Sequence, residues 1–356
     1  MQRIKVAVIG AAGYAGIELV RFVLNHPVFE LVAASSDGDA GKALAEVYPA
    51  LVGQTDAVFS THDEAAAADA VELAFLAVPH TAALAMAPGL MAQGISVLDL
   101  SADFRLKDPA SYERWYGVPH TQTGILAAAV YGLPELNRAG LKQLAARRAD
   151  TAVLVACPGC YPTASALAVL PALAAGLAAD APVVINALSG ISGAGKGATA
   201  TTHFCNANAN PNAYGVTTHR HTPEIEQTLS QAAGAPVKIV FTPHLVPLTR
   251  GLLATATLQL KPGVSAAALE AVYLDAYANE PFVQLLPRGI MPRTASVAGS
   301  NNAQLGIALD THTQTLVASC AIDNLGKGAA SQAIQCANIL CGLAEKTGLT
   351  ALAPVV

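Results

Sequence analysis

The chain has 356 residues, of which 53% are apolar and 13% charged, and its formal net charge at pH 7 is −5. This length exceeds what one hydrophobic core usually covers, so two domains are expected. The negative net charge, without any cluster of lysine or arginine, excludes the electrostatic signature of a nucleic-acid-binding or membrane-surface protein.

Cysteine content and the N-terminal residues indicate the compartment. Six cysteines are too few for a secreted disulfide scaffold of this length. The chain begins with a predicted strand and not with a signal peptide. Residues 151–179 carry no charge, but Pro158, Pro162 and Pro171 interrupt them, which favours a strand, a turn and a buried helix over a membrane span. We expect a cytoplasmic enzyme that acts on a small molecule, with no nucleic-acid or membrane partner.

A short hydrophobic strand at residues 4–9 leads directly into three evenly spaced glycines, and an apolar helical pattern follows at residues 17–24. This arrangement is typical of a dinucleotide site, where the turn lets the backbone approach a pyrophosphate and the helix N-terminus faces that anion. The residues predicted to contact the cofactor here are Gly10, Ala12, Gly13, Tyr14, Ala15 and Gly16.

The end of the next predicted strand, residues 29–34, bears on which dinucleotide is bound. An NAD site usually places an acid there for the ribose 2′-hydroxyl, but Ser35 and Ser36 come first and Lys42 follows. These side chains can hold a 2′-phosphate, so we predict NADP(H). Asp37 favours NAD, and no arginine is present to bind the phosphate.

Two further predicted strands, residues 73–78 and 96–100, continue the doubly wound pattern. Each ends at the sheet edge where ligands bind in such folds. Pro79, after the first, is predicted to line the nicotinamide site. Arg105, after the second, has a guanidinium suited to a phosphate or carboxylate, with a structural bridge to Asp103 as the alternative.

The most informative segment follows a predicted buried strand at residues 151–156. Cys160 is expected in the turn between this strand and an apolar helix from Thr163 onward. Unpaired N–H groups at a helix N-terminus favour a thiolate and can stabilise an oxyanion, so Cys160 is the candidate nucleophile. Cys157 and Cys160 also form a C-x-x-C pair, and a redox pair is the competing interpretation. The other cysteines lack zinc-ligand spacing, and no metal site is predicted.

The strand predicted at residues 183–188 leads into a glycine-rich segment that suits close approach to a ligand. The residues predicted to line the cofactor site from this segment are Ser189, Gly190, Ser192 and Gly193.

His219 and His221 precede a predicted helix that Thr222 could cap. Histidine is the usual general acid/base beside a thiol nucleophile. If the segment is extended, alternation places both rings on the same side.

The last third of the chain resembles an α+β domain. Residues 252–260 alternate as in an antiparallel sheet with one exposed face, and residues 329–343 form a long apolar helical pattern. The predicted fold class is α/β: a Rossmann-type doubly wound NADP-binding domain plus an α+β catalytic and dimerisation domain with a largely antiparallel sheet. The expected domains are residues 1–156, completed by a C-terminal helix of about 325–356, and residues 157–324.

Several motifs together resemble one family, the N-acetyl-γ-glutamyl-phosphate reductases of arginine biosynthesis, and the match covers nearly the whole chain. Aspartate-semialdehyde dehydrogenase and glyceraldehyde-3-phosphate dehydrogenase are its wider relatives, but Pro-Gly-Cys-Tyr-Pro-Thr is specific to this branch. The segments that carry the resemblance are residues 10–16, 155–163, 189–195, 219–224, 243–251 and 323–328.

The resemblance implies an NADPH-dependent reduction of an acyl phosphate to an aldehyde through a thioester on Cys160, with release of inorganic phosphate. His221 is the implied acid/base and His219 the alternate. Arg105, Arg250 and His244 are the implied substrate contacts, and Asn324 a further cofactor contact. The resemblance also implies a homo-oligomer, a dimer or tetramer.

Three alternatives stay open. A reductase of lysine biosynthesis acts on the acyl phosphate one methylene longer, which changes binding by only about 1–3 kcal/mol. A dithiol redox protein would use Cys157 and Cys160. A non-catalytic NADP-binding regulator would not need the thiol, histidines and arginines together.

Overall fold

The computed structural model describes residues 3–354, which divide into two compact units. The first comprises residues 3–158 and Ala329–Thr350, and the second comprises Gly159–Gly328 and residues 351–354. The chain passes from one to the other within the C-x-x-C segment, so Cys157 lies in the first unit and Cys160 in the second. The C-terminal helix, expected over about residues 325–356, is shorter: it spans Ala330–Leu340, and turns and irregular backbone follow up to residue 354, while residues 355 and 356 lie outside the described range.

The first unit is built on parallel strands. Its strands are β1 (Ile4–Ile9), β2 (Phe29–Ser35), β3 (Leu73–Leu76), β4 (Ser96–Asp99), β5 (Val130–Tyr131) and β6 (Leu154–Ala156). Its helices, numbered in chain order, are α1 (Tyr14–Leu24), α2 (Leu44–Val47), α3 (His62–Ala66), α4 (Ala82–Ala92), α5 (Pro109–Tyr116), α6 (Thr123–Ala128), α7 (Pro134–Arg147) and α12 (Ala330–Leu340), with a 3-10 helix at Pro49–Leu51.

The strand order of this sheet is β2-β1-β3-β4-β6-β5, and every pair is parallel. The order of the strands reverses at β1, because β2 is added on one side of it and β3 on the other. Ligands bind beyond the carboxyl ends of the strands at such a switch point. Gly10 follows β1 at this place, and the doubly wound sheet expected from the sequence is confirmed. Helix α12 packs against α1 and α7.

The second unit contains the remaining elements. Its strands are β7 (Val183–Gly190), β8 (Asn212–Ala213), β9 (Ile239–Val246), β10 (Leu252–Gln259), β11 (Val283–Leu285), β12 (Ala303–Asp310) and β13 (Thr315–Ile322). Its helices are α8 (Cys160–Ala174), α9 (Phe204–Ala207), α10 (Thr222–Ala233) and α11 (Ala266–Tyr277), with 3-10 helices at Ile191–Ala194 and Thr294–Val297.

The second sheet has the order β11-β12-β13-β10-β7-β9-β8. Its β11–β12 and β7–β9 pairs are parallel and its other four pairs are antiparallel, so it is mixed, with the antiparallel majority that was expected. Helix α8 packs on one face of this sheet, against β10 and β13, and is buried along almost its whole length. Burial alternates along β7, which leaves the opposite face exposed.

Two helix starts differ from the sequence prediction. Helix α8 begins at Cys160 and not near Thr163, because proline is tolerated in the first turn of a helix and Pro162 therefore does not delay its start. Thr222 does not cap α10: it is the first helical residue, His221 occupies the cap position, and no side chain caps the helix. Pro223 in the first turn again suits this position.

Candidate active site

The glycine turn after β1 has the shape that a dinucleotide requires. Gly10 has a φ of +85°, and a Cβ there would lie 2.4 Å from the Ala77 carbonyl oxygen. A Cβ on Gly16 would lie 2.2 Å from the Gly10 carbonyl oxygen, so both positions need glycine. A Cβ on Gly13 would meet only the Gly10 oxygen, at 3.6 Å, so its outer side is open. Gly13 caps the 11-residue helix α1 without a side-chain bond, and α1 begins at Tyr14. These residues fit a pyrophosphate at the helix N-terminus.

A residue that the sequence did not single out supports this turn. Tyr48, which follows α2, donates its hydroxyl hydrogen to the Ala12 carbonyl at 2.6 Å. The contact joins residues 36 positions apart, so no local pattern indicated it.

At the end of β2, the serine side chains are held by neighbours. Ser35 is fully buried, and its Oγ lies 3.3 Å from the Gly10 nitrogen and 2.7 Å from His62 Nδ1. Ser36 donates to Asp39, which also accepts from Lys42 at 2.9 Å. The structure therefore places Ser35, Ser36 and Lys42 in one region. His62 lies beside them, and the sequence analysis does not single it out.

The loops after β3 and β4 carry the other predicted residues of this unit. Pro79 lies two residues before Thr81, whose backbone is left-handed, and the Asp103 carboxylate accepts one hydrogen bond from the N–H of Thr81, the cap residue of α4. Arg105 is buried and donates Nε to the Cys157 carbonyl at 2.8 Å and Nη2 to the Leu100 carbonyl at 2.7 Å. At least these two guanidinium nitrogens stabilise the backbone where β4 and β6 end.

Asp99, at the end of β4, is fully buried. Burial, and then the nearby charge of Asp103, raise the pKa of Asp99 to about 7. Its carboxylate accepts from the backbone nitrogen and the hydroxyl of Ser101, both at 2.9 Å. Buried carboxyls of this kind titrate near neutral pH.

In the second unit, Cys160 is the first residue of the 15-residue helix α8, whose cap residue Gly159 makes no side-chain bond. The dipole of such a helix favours the thiolate. Cys160 is half-buried, whereas Cys157 is buried, and burial raises the pKa of the Cys157 thiol. None of the six cysteines, all of which lie in the described residues, forms a disulfide.

An aromatic cluster adjoins this thiol. The His219 ring centroid lies 5.6 Å from that of Tyr161, 5.4 Å from that of Tyr214 and 4.9 Å from that of His221. Tyr214 donates its hydroxyl hydrogen to the Tyr161 oxygen at 3.2 Å. Burial raises the pKa of Tyr214 to about 12; the hydrogen bond to Tyr161 opposes this rise, and the charge of Cys160 contributes to it.

The two histidines have different environments. Burial, and then the charge of Arg220, lower the pKa of His219 to about 4, so its imidazole is neutral at pH 7. His219 Nδ1 accepts the backbone N–H of His221 at 3.1 Å. His221 sits at the N-terminus of α10, and its ring lies 5.9 Å from Tyr161.

Glu224 ties the helix that follows the histidines to the thiol turn. It is buried in the first turn of α10, and its Oε1 accepts the Gly159 N–H at 2.9 Å. The sequence analysis missed this role. An acid three residues after a cap position is the signal that could have drawn attention to it.

The glycine-rich segment and the residues before Gly328 form a second cluster. Asn324 accepts the Gly251 N–H at 2.7 Å and donates to Ser192 Oγ at 3.0 Å. A Cβ on Gly193 would lie 2.8 Å from Ser189 Oγ, and one on Gly190 would lie 2.9 Å from the Leu248 carbonyl. The structure thus brings together the cofactor residues predicted from this unit.

Arg250 lies beside this cluster. Its Nε donates to Asp323 at 2.9 Å, and the Asp323 side chain is fully buried. A buried carboxylate that holds Nε fixes the direction of the guanidinium, which suits recognition of a planar anion.

His244 is the predicted residue that lies apart. Along β9 the side chains alternate, and Phe241 packs against Tyr161 and His219. His244 is three residues later and belongs to the opposite set, together with Val240 and Thr242. Its backbone carbonyl accepts from the Tyr161 hydroxyl at 3.2 Å.

No cluster of three or more histidine, cysteine or acidic residues that could hold a metal occurs within residues 3–354. In the same range, no helix has both the length and the hydrophobicity needed to cross a membrane.

Comparison with protein families matches both halves of the chain. Residues 5–144 match the model described as semialdehyde dehydrogenase, NAD binding domain. Residues 160–324 match the semialdehyde dehydrogenase, dimerisation domain.

Curated relatives match over nearly the whole length. A protein of Pelotomaculum thermopropionicum named N-acetyl-gamma-glutamyl-phosphate reductase is 45% identical over 346 residues, which are 97% of each chain. A protein of Symbiobacterium thermophilum with the same name is 46% identical over 353 residues, which are 99% of each chain.

Solved structures share the fold. Aspartate semialdehyde dehydrogenase II of Vibrio cholerae, complexed with ASA, superposes with a TM-score of 0.72 at 18% identity, over 96% of this chain and 98% of its own. Aspartate semialdehyde dehydrogenase with NADP from Candida albicans gives a TM-score of 0.67 at 15% identity, over 98% and 99%. At these identities the likeness concerns the fold alone.

Proposed function

The chain belongs to the N-acetyl-γ-glutamyl-phosphate reductase family, and from this membership we propose that it reduces N-acetyl-γ-glutamyl phosphate to N-acetyl-glutamate 5-semialdehyde in arginine biosynthesis. The observation that carries the proposal is Cys160 at the N-terminus of α8, beside the cluster of Tyr161, Tyr214, His219 and His221. A helix N-terminus that favours thiolate, next to an imidazole, is what acyl transfer to sulfur requires.

In the proposed reaction the Cys160 thiolate attacks the acyl carbon, the S–C bond forms, and the bond to the phosphate oxygen breaks with release of inorganic phosphate. NADPH, when bound, supplies the hydride that reduces the resulting thioester. The α8 N–H groups stabilise the oxyanion. The C–S bond then breaks, which regenerates the thiolate and releases the aldehyde.

His221 is the proposed acid/base that takes the thiol proton and protonates the developing alkoxide. His219 suits this role less, because its pKa of about 4 makes it too weak a base to hold the thiol proton at neutral pH, and its Nδ1 already accepts the His221 N–H. His219 would instead hold the backbone of His221 in place.

Arg250, aimed by Asp323, is the proposed contact for the substrate phosphate or carboxylate. Arg105 and His244 stay predicted substrate contacts. The cofactor is proposed to be NADP(H), bound at the glycine turn and the β2 end of the first unit; the residues around Asn324 in the second unit stay predicted cofactor contacts.

The chain-length alternative is less favoured, because these curated relatives carry the glutamyl name. Steady-state rates on both acyl phosphates would measure the preference. Cytoplasmic localisation is likewise a proposal.

The family's dimerisation domain supports a homo-oligomer, and we propose that copies of the chain associate through the exposed face of the second sheet. Val184 and Leu188 on β7, with Val240 on β9, are exposed apolar side chains on that face, and Val184 pairs directly with Val240. Apolar patches of this kind mark protein interfaces.

The decisive experiment is phosphate-dependent oxidation of N-acetyl-glutamate 5-semialdehyde with NADP⁺. Cys160→Ser is expected to lower the rate by roughly 10³-fold or more, because a serine hydroxyl is a far weaker nucleophile than a thiolate. Cys157→Ala, the matched control, is expected to keep activity within a few-fold. An active Cys160→Ser with an inactive Cys157→Ala would reject the assignment.

A further inference from the structure

The end of β2 lacks the carboxylate that an NAD site uses. The last residue of that strand is Ser35, which is fully buried. Its Oγ accepts the Gly10 N–H at 3.3 Å, so its own hydrogen is left to donate to His62 Nδ1, which lies 2.7 Å away. A neutral His62 ring with Nδ1 as acceptor carries its hydrogen on Nε2. The network therefore makes Nε2 a donor.

Asp37, the residue that favours NAD by sequence, is engaged elsewhere. Its Oδ1 accepts the backbone N–H of His62 at 2.9 Å, and its Oδ2 lies 3.7 Å from His62 Nε2. The carboxylate thus fixes the position of His62 from two sides. One of its two oxygens is already occupied, which makes Asp37 a poor ligand for a ribose diol.

The cationic side chain of Lys42 is placed in the same region by backbone pairing. Residues 58–60 lie between the end of β2 and the loop that carries Lys42: Ser36 N–H donates to the Ser60 carbonyl, and Phe59 N–H donates to the Lys42 carbonyl. Lys42 is exposed, and its hydrogen bond to Asp39 and then the charge of that carboxylate raise its pKa. Asp39 also holds the Ser36 hydroxyl.

We propose that His62, together with Lys42 and Ser36, binds the 2′-phosphate of NADPH and that His62 is the residue that selects NADP over NAD. Its side chain is 26% exposed, and its Nε2–H supplies from α3 a donor where an arginine supplies one in many NADP sites. The inference rests on the proposed function, because it assumes that a dinucleotide binds at the glycine turn.

The test measures binding of cofactor fragments by calorimetry, without any hydride transfer. 2′,5′-ADP carries the 2′-phosphate and 5′-AMP does not. Wild type is expected to prefer 2′,5′-ADP. His62→Gln is expected to weaken 2′,5′-ADP binding by about tenfold, the scale of one hydrogen bond to a charged group, and to leave 5′-AMP binding within twofold. Lys42→Met should act in the same direction.

Two further variants sharpen the result. His312→Gln, an exposed histidine of the second unit, is the matched control and should change neither affinity. Asp37→Asn is expected to strengthen 2′,5′-ADP binding by removing a negative charge. Equal loss of both fragments in His62→Gln, or unchanged 2′,5′-ADP binding, would overturn the proposal, and so would weaker 5′-AMP binding in Asp37→Asn.

A negative result for the role of His62 can be told apart from a negative result for the proposed reductase function. If fragment selectivity does not depend on His62 but the enzyme oxidises the semialdehyde with either cofactor, only the role of His62 is rejected. If the semialdehyde is not oxidised with NADP⁺ or with NAD⁺, the reductase proposal itself is rejected, whatever the fragments show.

Discussion

At the scale of single residues, Cys157 and Cys160 lie three positions apart in different surroundings. Cys157 is buried, and burial raises its pKa, so it stays protonated at neutral pH. Cys160 is half-buried at the first position of a long helix, where the dipole favours its thiolate. The same side chain therefore packs at one position and has the surroundings of a nucleophile at the other.

Gly328 packs against Cys160, and substituting it tests whether activity depends on the position of that thiol. A Cβ at this position would lie 2.7 Å from the Cys160 Cβ and 2.6 Å from the Asn324 carbonyl oxygen. Gly328→Ala is expected to displace the thiol and to lower kcat by roughly 10²-fold. Gly89→Ala, where the added Cβ meets nothing within 4 Å, is the control. Equal kcat values for the two variants in the semialdehyde assay would contradict this geometry.

Asp99 predicts a pH dependence of stability. Its pKa is raised from 3.8 to about 7 on folding, so between these values the folded state binds more protons than the unfolded state. The free energy of unfolding should therefore fall as the pH rises from about 4 to about 7, and this contribution should level off above that range.

The measurement is urea unfolding at pH 5 and pH 8 for wild type and Asp99→Asn, which keeps an oxygen to accept the Ser101 N–H. The fall in unfolding free energy is expected to be smaller in the variant. Asp56→Asn, at an exposed position, serves as control and should behave as wild type. A variant that loses as much stability as wild type between the two pH values would refute the role of Asp99.

At the scale of elements, α8 and α10 are coupled by one buried hydrogen bond. Glu224 in the first turn of α10 accepts the N–H of Gly159, the cap of α8. The helix that begins at Cys160 and the helix that begins after His221 therefore hold each other's N-terminal ends. This coupling would let the proposed nucleophile, Cys160, and the proposed acid/base, His221, keep one geometry although 61 residues separate them.

Glu224→Ala is expected to lower the free energy of unfolding by about 1–3 kcal/mol, because the Gly159 N–H loses its acceptor in a buried place. It should also lower kcat more than it changes KM, since the thiol turn shifts. Glu224→Gln keeps an acceptor oxygen and should recover most of both quantities. Unfolding curves and steady-state kinetics of both variants check this, and an Ala variant that matches wild type would count against the coupling.

At the scale of the whole molecule, the exposed face of the second sheet is where the chain is expected to meet another copy. Val240, 51% exposed on β9, pairs with Val184 on that face. Val240→Asp would place a charge in an apolar contact and is expected to shift the oligomer toward monomer in light scattering after size exclusion. Leu274→Asp, 56% exposed on α11, is the control. An unchanged mass for Val240→Asp would move the interface elsewhere.

Sequence reasoning predicted the fold class and much of the candidate site. Alternation and apolar runs located β1, β2, β7 and β10 to within two residues. The prediction places the start of α8 three residues too late, since a helix accepts proline in its first turn and Pro162 does not delay it. It also missed His62, Tyr48, Glu224 and Gly328, whose importance depends on distant partners.

What the sequence by itself determined was local: glycines that only a tight turn explains, a thiol at a strand-to-helix junction, and the side-chain periods of strands and helices. Only the tertiary structure decided three hydrogen bonds: from the Gly159 N–H to Glu224, from Asn324 to Ser192 across 132 residues, and from the His62 N–H to Asp37. The reason is physical. Periodicity is a property of consecutive residues, whereas a hydrogen-bond partner depends on which elements pack together.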